Sequence, residues 1–186
     1  MKRISIALAV SLACAGAWSQ GPIGQSPGDL STIASLDVPR YMGTWYEIAK
    51  YPNRFQKNCV SDTTAEYRLQ PGGTVQVINR CQKMNGELDE AVGEARQTGR
   101  ATSPKLQVRF APAWLSFLPF VWGDYWVIDL DEGYQLVAVS EPAREYLWIL
   151  SRSPTVNPEA YAALLGRLRS QGFNLDRLER TRQTRQ

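Results

Sequence analysis

The sequence predicts an all-β domain of eight antiparallel strands followed by one C-terminal helix, and three observations carry that prediction. From Gly43 onward the chain falls into short segments with two-residue alternation or dense aromatic and β-branched content. Turn chemistry separates these segments roughly every eight to twelve residues. After Arg152 the apolar period changes from that of a strand to that of a helix.

Strands are expected at about 44–51, 59–69, 74–83, 89–100, 104–111, 124–131, 134–140 and 145–152. The turns between them have physical causes. Pro71-Gly72-Gly73 combines a preset φ with positions that accept φ > 0, Asn85-Gly86 is a strong hairpin signal, and Asp131-Glu132-Gly133 makes a tight reversal. Pro154 interrupts the last strand, and Asn157-Pro158-Glu159 reads as an N-cap with proline in the first helical position. The helix runs to about Ser170 and stops at Gly172. Tyr161, Leu164, Leu165 and Leu168 share one of its faces, which is expected to lie on the outside of the sheet. Eight such strands close into an up-and-down barrel or stack as a two-sheet sandwich, and strand count alone leaves both open.

A chain of 186 residues with 44% hydrophobic and 21% charged residues suits one globular domain with a sizeable core. Net charge is +3, of which Lys2 and Arg3 supply two, leaving +1 once they are removed. So near-neutral a body argues against nucleic acid as a partner. There is no histidine, which excludes Ser-His-Asp and Cys-His catalysis and the commonest transition-metal ligand. Three cysteines are too few for a four-cysteine zinc or iron-sulfur site. No metal or cofactor is expected.

Residues 1–19 read as an export signal: Met-Lys-Arg, then the apolar ISIALAVSLA, then the small residues of ACAGAWS. Ordinary cleavage after Ala17 or Ser19 is preferred to lipid attachment at Cys14, because Ser11 stands where a lipoprotein site has a Leu-like residue. The protein is thus expected in the periplasm or on the periplasmic face of an outer membrane. Cys59 and Cys81 then remain as an even pair in an oxidising compartment, where a disulfide is the expected outcome. Symmetric pairing across the turn at 71–73 needs indices summing to 143 or 144, whereas theirs sum to 140, so a bulge or register offset is required. Residues 20–35, rich in Gly, Pro and Ser, read as a flexible lead-in to a domain spanning 36–175. The basic stretch 176–186 reads as a solvated tail.

Three segments resemble the lipocalin family, specifically its bacterial and apolipoprotein D-like branch. Gly43-Thr44-Trp45-Tyr46-Glu47 resembles the family's G-x-W signature. Leu130-Asp131-Glu132-Gly133-Tyr134 resembles its second region, and Tyr146-Leu147-Trp148-Ile149-Leu150-Ser151-Arg152 its third, ending in the arginine. The order is right and the family's C-terminal helix follows. The resemblance implies an eight-stranded antiparallel up-and-down β-barrel with that helix packed outside. It also implies that Trp45 and Arg152 meet at the closed end through a cation-π contact worth about 0.5–2 kcal/mol.

In such a barrel the inward side chains face the ligand. Parity from Arg152 places Tyr146 and Trp148 inward on the last strand. On strand five the inward set is Leu106, Val108 and Phe110, with Arg109 outward. Tyr125 and Val127 are chosen on strand six, which is apolar on both faces. Ala91, Gly93 and Ala95 on strand four leave room for a cavity.

The family resemblance implies a non-catalytic envelope carrier of a fatty acid, lysophospholipid or similar amphiphile, with apolar length as the main recognition element, since each buried CH2 contributes about 0.8 kcal/mol. An enzyme on the same scaffold would use Cys59, Cys81, Asp129, Glu47 or a tyrosine. A monomer and a homodimer are both compatible with the sequence.

FAPAWLSFLPFVWGDYW, from Phe110 to Trp126, carries no charge until Asp124. Pro112 and Pro119 interrupt it and it is too short for the roughly twenty residues of a spanning helix. Strand counting makes it the loop between strands five and six, at the open mouth. Trp114, Leu115, Phe117, Leu118, Phe120 and Trp122 are expected to form a hydrophobic lip that admits the ligand or touches a membrane surface through residues 111–122.

Overall fold

A computed structural model describes residues 28–184. The expected export signal, Cys14 and the first part of the lead-in lie outside the described residues. A short helix, α1 (Val38–Tyr41), precedes eight strands: β1 (Gly43–Lys50), β2 (Cys59–Leu69), β3 (Val75–Lys83), β4 (Leu88–Gln97), β5 (Lys105–Arg109), β6 (Gly123–Leu130), β7 (Leu136–Ser140) and β8 (Leu147–Ser151). Helix α2 (Pro158–Ser170) and a two-residue strand β9 (Glu179–Arg180) follow.

Each of the strands β1 to β8 pairs antiparallel with its sequence neighbour, and β1 pairs a second time, with β8. That second pairing closes the sheet and decides for a barrel against a sandwich. Closure removes the exposed edges that an open sheet of this size would carry.

Two apolar clusters sit on either side of the barrel wall. The inner one includes Leu36, Tyr41, Trp45, Val77, Val127, Val137 and Val139. The outer one includes Ile48, Tyr51, Ile128, Ala138, Leu147 and Ile149 with Leu164 and Leu168 of α2. β7 and β8 are therefore apolar on both faces, a cavity-side face and a helix-side face. α2 begins as its sequence specifies, with the Asn157 side chain accepting from the Ala160 N–H at 2.8 Å and Pro158 in the first turn.

The described parts of the lead-in and of the tail, residues 28–35 and 176–184, are more ordered than composition suggested. The lead-in was expected to order only at Leu36, yet Leu30 is buried in the outer cluster and the Ile33 N–H donates to the Val127 carbonyl at 3.1 Å. The tail is likewise held. β1 and β2 pair only from Gly43↔Tyr67 to Tyr46↔Thr64 and then diverge. Residues 179–184 enter the gap: β9 pairs with Ala49 and Lys50, the Asp62 N–H donates to the Arg182 carbonyl, and Gln183 Nε2 reaches the carbonyls of Glu47 and Thr63. Backbone groups on diverging strands need partners, and the tail supplies them. Arg177 and Arg180 lie over the rings of Tyr51 and Tyr161, at 4.4 and 4.5 Å, rather than free in solvent.

Cys59 and Cys81 form a disulfide with Cα atoms 5.5 Å apart. The register accounts for it. The β2–β3 ladder runs from Leu69↔Val75 to Thr64↔Arg80 and then shifts at Ser61↔Gln82 and again at Cys59↔Lys83. Asp62, in the left-handed region at φ 53°, lies within the first shift.

A capped barrel with an apolar cavity

The closed end is built by the three segments that resembled family motifs. β1 begins there, the β6–β7 turn lies there, and β8 ends there, because alternate strands reverse direction. Trp45 is fully buried and its indole N–H donates to the Tyr41 carbonyl at 2.9 Å. The Arg152 guanidinium lies 4.0 Å from the Trp45 ring centroid. It also donates to the carbonyls of Thr44 at 3.0 Å, Arg40 at 3.0 Å and Tyr41 at 3.1 Å. One planar fork thus ties the start of β1 and the end of α1 to β8. Gly43 has φ 93°, and a Cβ there would come within 3.2 Å of Arg152 Nη1, so this position favours glycine both for its backbone and for the guanidinium beside it.

Above this floor lies a cavity of about 620 Å³, a size that suits a small apolar ligand. Its walls come from alternating residues of successive strands: Thr63, Ala65 and Tyr67 on β2, Val75, Val77 and Asn79 on β3, Ala91 and Ala95 on β4, and Leu106 and Val108 on β5. Six of the seven ligand-site residues chosen from sequence border it: Leu106, Val108, Phe110, Tyr125, Tyr146 and Trp148. Val127 does not. It is inward on β6 but fully buried in the inner cluster with Leu36, Trp45 and Val139, below the cavity's end. Parity selects a face of a strand but not a depth within the barrel.

Asp129 shares Val127's parity in an ideal strand, yet the β6–β7 register shifts between Val127 and Asp129. The bulge turns Asp129 outward, where Arg167 of α2 donates to both carboxylate oxygens at 2.6 and 2.9 Å. It is a strut between barrel and helix. Gly93 serves a different purpose from the one its size suggested. A Cβ there would meet the Arg109 carbonyl at 2.6 Å and Phe110 Cδ1 at 2.7 Å, so its space is taken by the end of β5 and not by the cavity.

Toward the mouth the lining becomes aromatic and polar. Tyr146 stacks on Trp148 with ring centroids 5.8 Å apart, and Phe55 tilts against Tyr146 at 5.5 Å. The Trp148 indole donates to Gln56 Oε1 at 2.9 Å, and Gln56 Nε2 donates to the buried Glu47 carboxylate at 2.6 Å. Lys50 Nζ lies 3.4 Å from the same carboxylate and Thr181 of the tail donates to it. Glu47 is therefore paired and hydrogen-bonded, as a buried carboxylate must be. Arg54 borders the cavity at this end. Lys105 does not, since its ammonium lies 3.9 Å from the Trp126 ring centroid and Trp126 packs against the outer cluster. Arg109 also stays out of the cavity, bonding Glu94 at 3.2 Å and the Ala111 carbonyl.

The loop from Phe110 to Trp122 stands at the mouth and contains two single 3-10 turns, Ala113–Leu115 and Pro119–Val121. Its far end is pinned. Arg96 and Arg109 lie over the Trp122 ring at 4.0 and 5.1 Å, and the Trp122 indole donates to the Ser116 carbonyl at 2.8 Å. Phe120 and Trp122 border the cavity. Leu115, Leu118 and Trp122 are half-buried, whereas Trp114, Phe117 and Phe120 are 73%, 75% and 79% exposed. Phe55 and Met84, on the neighbouring mouth loops, are exposed as well.

Sequence reasoning missed the residues of β2 and β3, although alternation at 61, 63, 65 and 67 and at 75, 77 and 79 marks their inward faces. It also missed Tyr41, which no strand pattern could reveal because it lies on α1 across the barrel floor. Tyr41, Tyr67 and Tyr125 meet there: the Tyr125 hydroxyl is 2.8 Å from that of Tyr41 and 2.9 Å from that of Tyr67. Burial pushes all three phenols up, Tyr67 to about 12. Among the described residues no cluster of His, Cys, Asp or Glu could hold a metal.

Comparison with known proteins agrees with this architecture. Residues 36–183 match the model of the lipocalin-like domain. Temperature-induced lipocalin-1 of Arabidopsis thaliana is 39% identical over 158 residues, 84% of this chain and 84% of that protein. The outer membrane lipoprotein Blc of Escherichia coli K12 is 37% identical over 152 residues, 81% of each chain. Mouse apolipoprotein D is 33% identical over 156 residues, 80% of this chain and 78% of its own. Among solved structures, insecticyanin from the tobacco hornworm Manduca sexta superposes with a TM-score of 0.64 at 20% identity, covering 82% of this chain and 84% of that one. On its motifs, its closed barrel and these relatives, the chain belongs to the lipocalin family.

Proposed function

We propose that this lipocalin is a non-catalytic carrier of the cell envelope that holds a fatty acid, lysophospholipid or similar amphiphile in its barrel for storage, transport or membrane maintenance. The observation that carries the reading is the cavity itself, walled mainly by apolar side chains, lying above the barrel end that Trp45 and Arg152 close, and open at an aromatic and partly polar mouth. Burial of successive methylenes supplies the affinity, at about 0.8 kcal/mol each. Tyr125, Leu106, Val108, Tyr146 and Trp148 serve as ligand-contacting walls. Arg54 is a cation at the mouth suited to a carboxylate or phosphate headgroup.

The envelope assignment draws on the N-terminal export pattern and on similarity to an outer membrane lipoprotein. The non-catalytic reading is supported by the pairing of both barrel cysteines in a disulfide and by the engagement of Asp129 with α2. The loop at 111–122 acts as a lip that takes the ligand from a lipid surface. The test is titration of delipidated protein with fatty acids and lysophospholipids while following tryptophan fluorescence. Stoichiometric quenching that diminishes in Trp148→Phe is expected, and an unchanged signal with every amphiphile refutes the carrier role.

A further inference from the structure

The floor of the cavity carries a feature that a purely apolar ligand leaves unused. Tyr41, Tyr67 and Tyr125 bring three hydroxyls together, and all three residues border the cavity. Three hydroxyls carry three protons, but the cluster makes two internal hydrogen bonds, each of which uses one. Whichever way the two bonds point, one O–H is left over, and among the described residues none of the three hydroxyls makes a hydrogen bond outside the cluster. In the open barrel, water reaching the cavity can accept that proton. A ligand that extends to the floor expels the water, and the donor is then satisfied only if the ligand brings an oxygen.

We infer that the Tyr41–Tyr67–Tyr125 cluster is a deep subsite for a neutral acceptor oxygen, a hydroxyl or carbonyl, at the leading end of a long apolar ligand. The preferred cargo is therefore an amphiphile oxygenated at both ends, its charged head at the mouth and its second oxygen at the floor. This rests on the carrier reading and specifies the substrate of the same cavity. Neutrality follows from the surroundings. The Arg152 guanidinium beneath the cluster spends its N–H donors on the carbonyls of Thr44, Arg40 and Tyr41 and its face on the Trp45 ring, so a carboxylate at the floor would be desolvated without a hydrogen-bonded salt bridge to it. The raised phenol pKa values keep the cluster a neutral donor across the physiological range.

The experiment compares straight-chain fatty acids of about ten to eighteen carbons with their ω-hydroxy and α,ω-dicarboxylic counterparts, on the wild-type barrel and on Tyr41→Phe/Tyr67→Phe/Tyr125→Phe. In wild type the affinity of the ω-hydroxy acid relative to its parent peaks at one chain length, where the hydroxyl reaches the floor. There the dicarboxylic acid binds at least tenfold more weakly than the hydroxy acid. In the triple variant the hydroxy-to-parent ratio falls at least tenfold at that length. A ratio flat with chain length in wild type overturns the subsite without recourse to the variant, as does a ratio identical in the two proteins or a dicarboxylate that binds equally well. Failure of all three acids to bind wild type at any length overturns the carrier reading and this subsite with it.

Discussion

The lip at the mouth lends itself to a quantitative test. Trp114 and Phe117 are about three-quarters exposed and the far end of their loop is pinned through Trp122, so replacing both by serine removes apolar area without touching the barrel. Full burial of such a side chain is worth about 1.5–3 kcal/mol, and three-quarters of that leaves roughly 1–2 kcal/mol for each on entering a lipid surface. The double substitution should therefore weaken partitioning by about 2–4 kcal/mol, roughly thirtyfold to several-hundredfold at 1.4 kcal/mol per decade. Sedimentation with phospholipid vesicles measures the partition, and the rate of uptake of a vesicle-borne fatty acid measures its consequence. Both should fall while the urea midpoint and the affinity for micelle-free fatty acid stay constant. Unchanged partitioning refutes the lip, and a loss of global stability shows instead that these side chains pack in the folded protein.

Three further outcomes follow from the same structure. Arg152→Ala removes three hydrogen bonds of about 3 Å and a cation-π contact, and should cost about 3–4 kcal/mol in urea denaturation. Arg152→Lys should recover less than half of this, because an ammonium lacks the fork, and full recovery would refute the geometry. Cys59→Ser/Cys81→Ser opens a 22-residue separation and should lower stability by about 3 kcal/mol on the loop-entropy account, with fatty-acid binding retained when measured well below the new midpoint. The tyrosine cluster predicts alkaline sensitivity. Tyr67 titrates at about 12 in the folded protein and near 10 unfolded, so the unfolded state loses its proton first. Stability is intact below about pH 10 and falls as pH rises through 12, by about 2–3 kcal/mol from this residue alone. Tyr41 and Tyr125 shift in the same direction, and the triple phenylalanine variant should show a smaller alkaline loss.

Local chemistry in the chain was enough to place the eight strands within a few residues of their observed limits, and α2 from its proline to Ser170. Alternation and turn residues act over a handful of positions, and this fold is assembled from such short antiparallel neighbours. Motif order also put Trp45 and Arg152 at one end, because strand reversal is a counting argument. Tertiary structure decided everything that depends on depth, on a bulge or on distant segments. Val127 faces inward but lies beneath the cavity, since a plugged barrel fills from its floor. Asp129 faces α2 because one register shift reverses parity. The described residues of the tail and the lead-in order on the barrel through backbone hydrogen bonds and Leu30, which no local pattern in a polar segment announces. The tyrosine cluster joins α1, β2 and β6 across 84 and 58 residues of chain, and only closure of the barrel brings those hydroxyls within hydrogen-bonding distance.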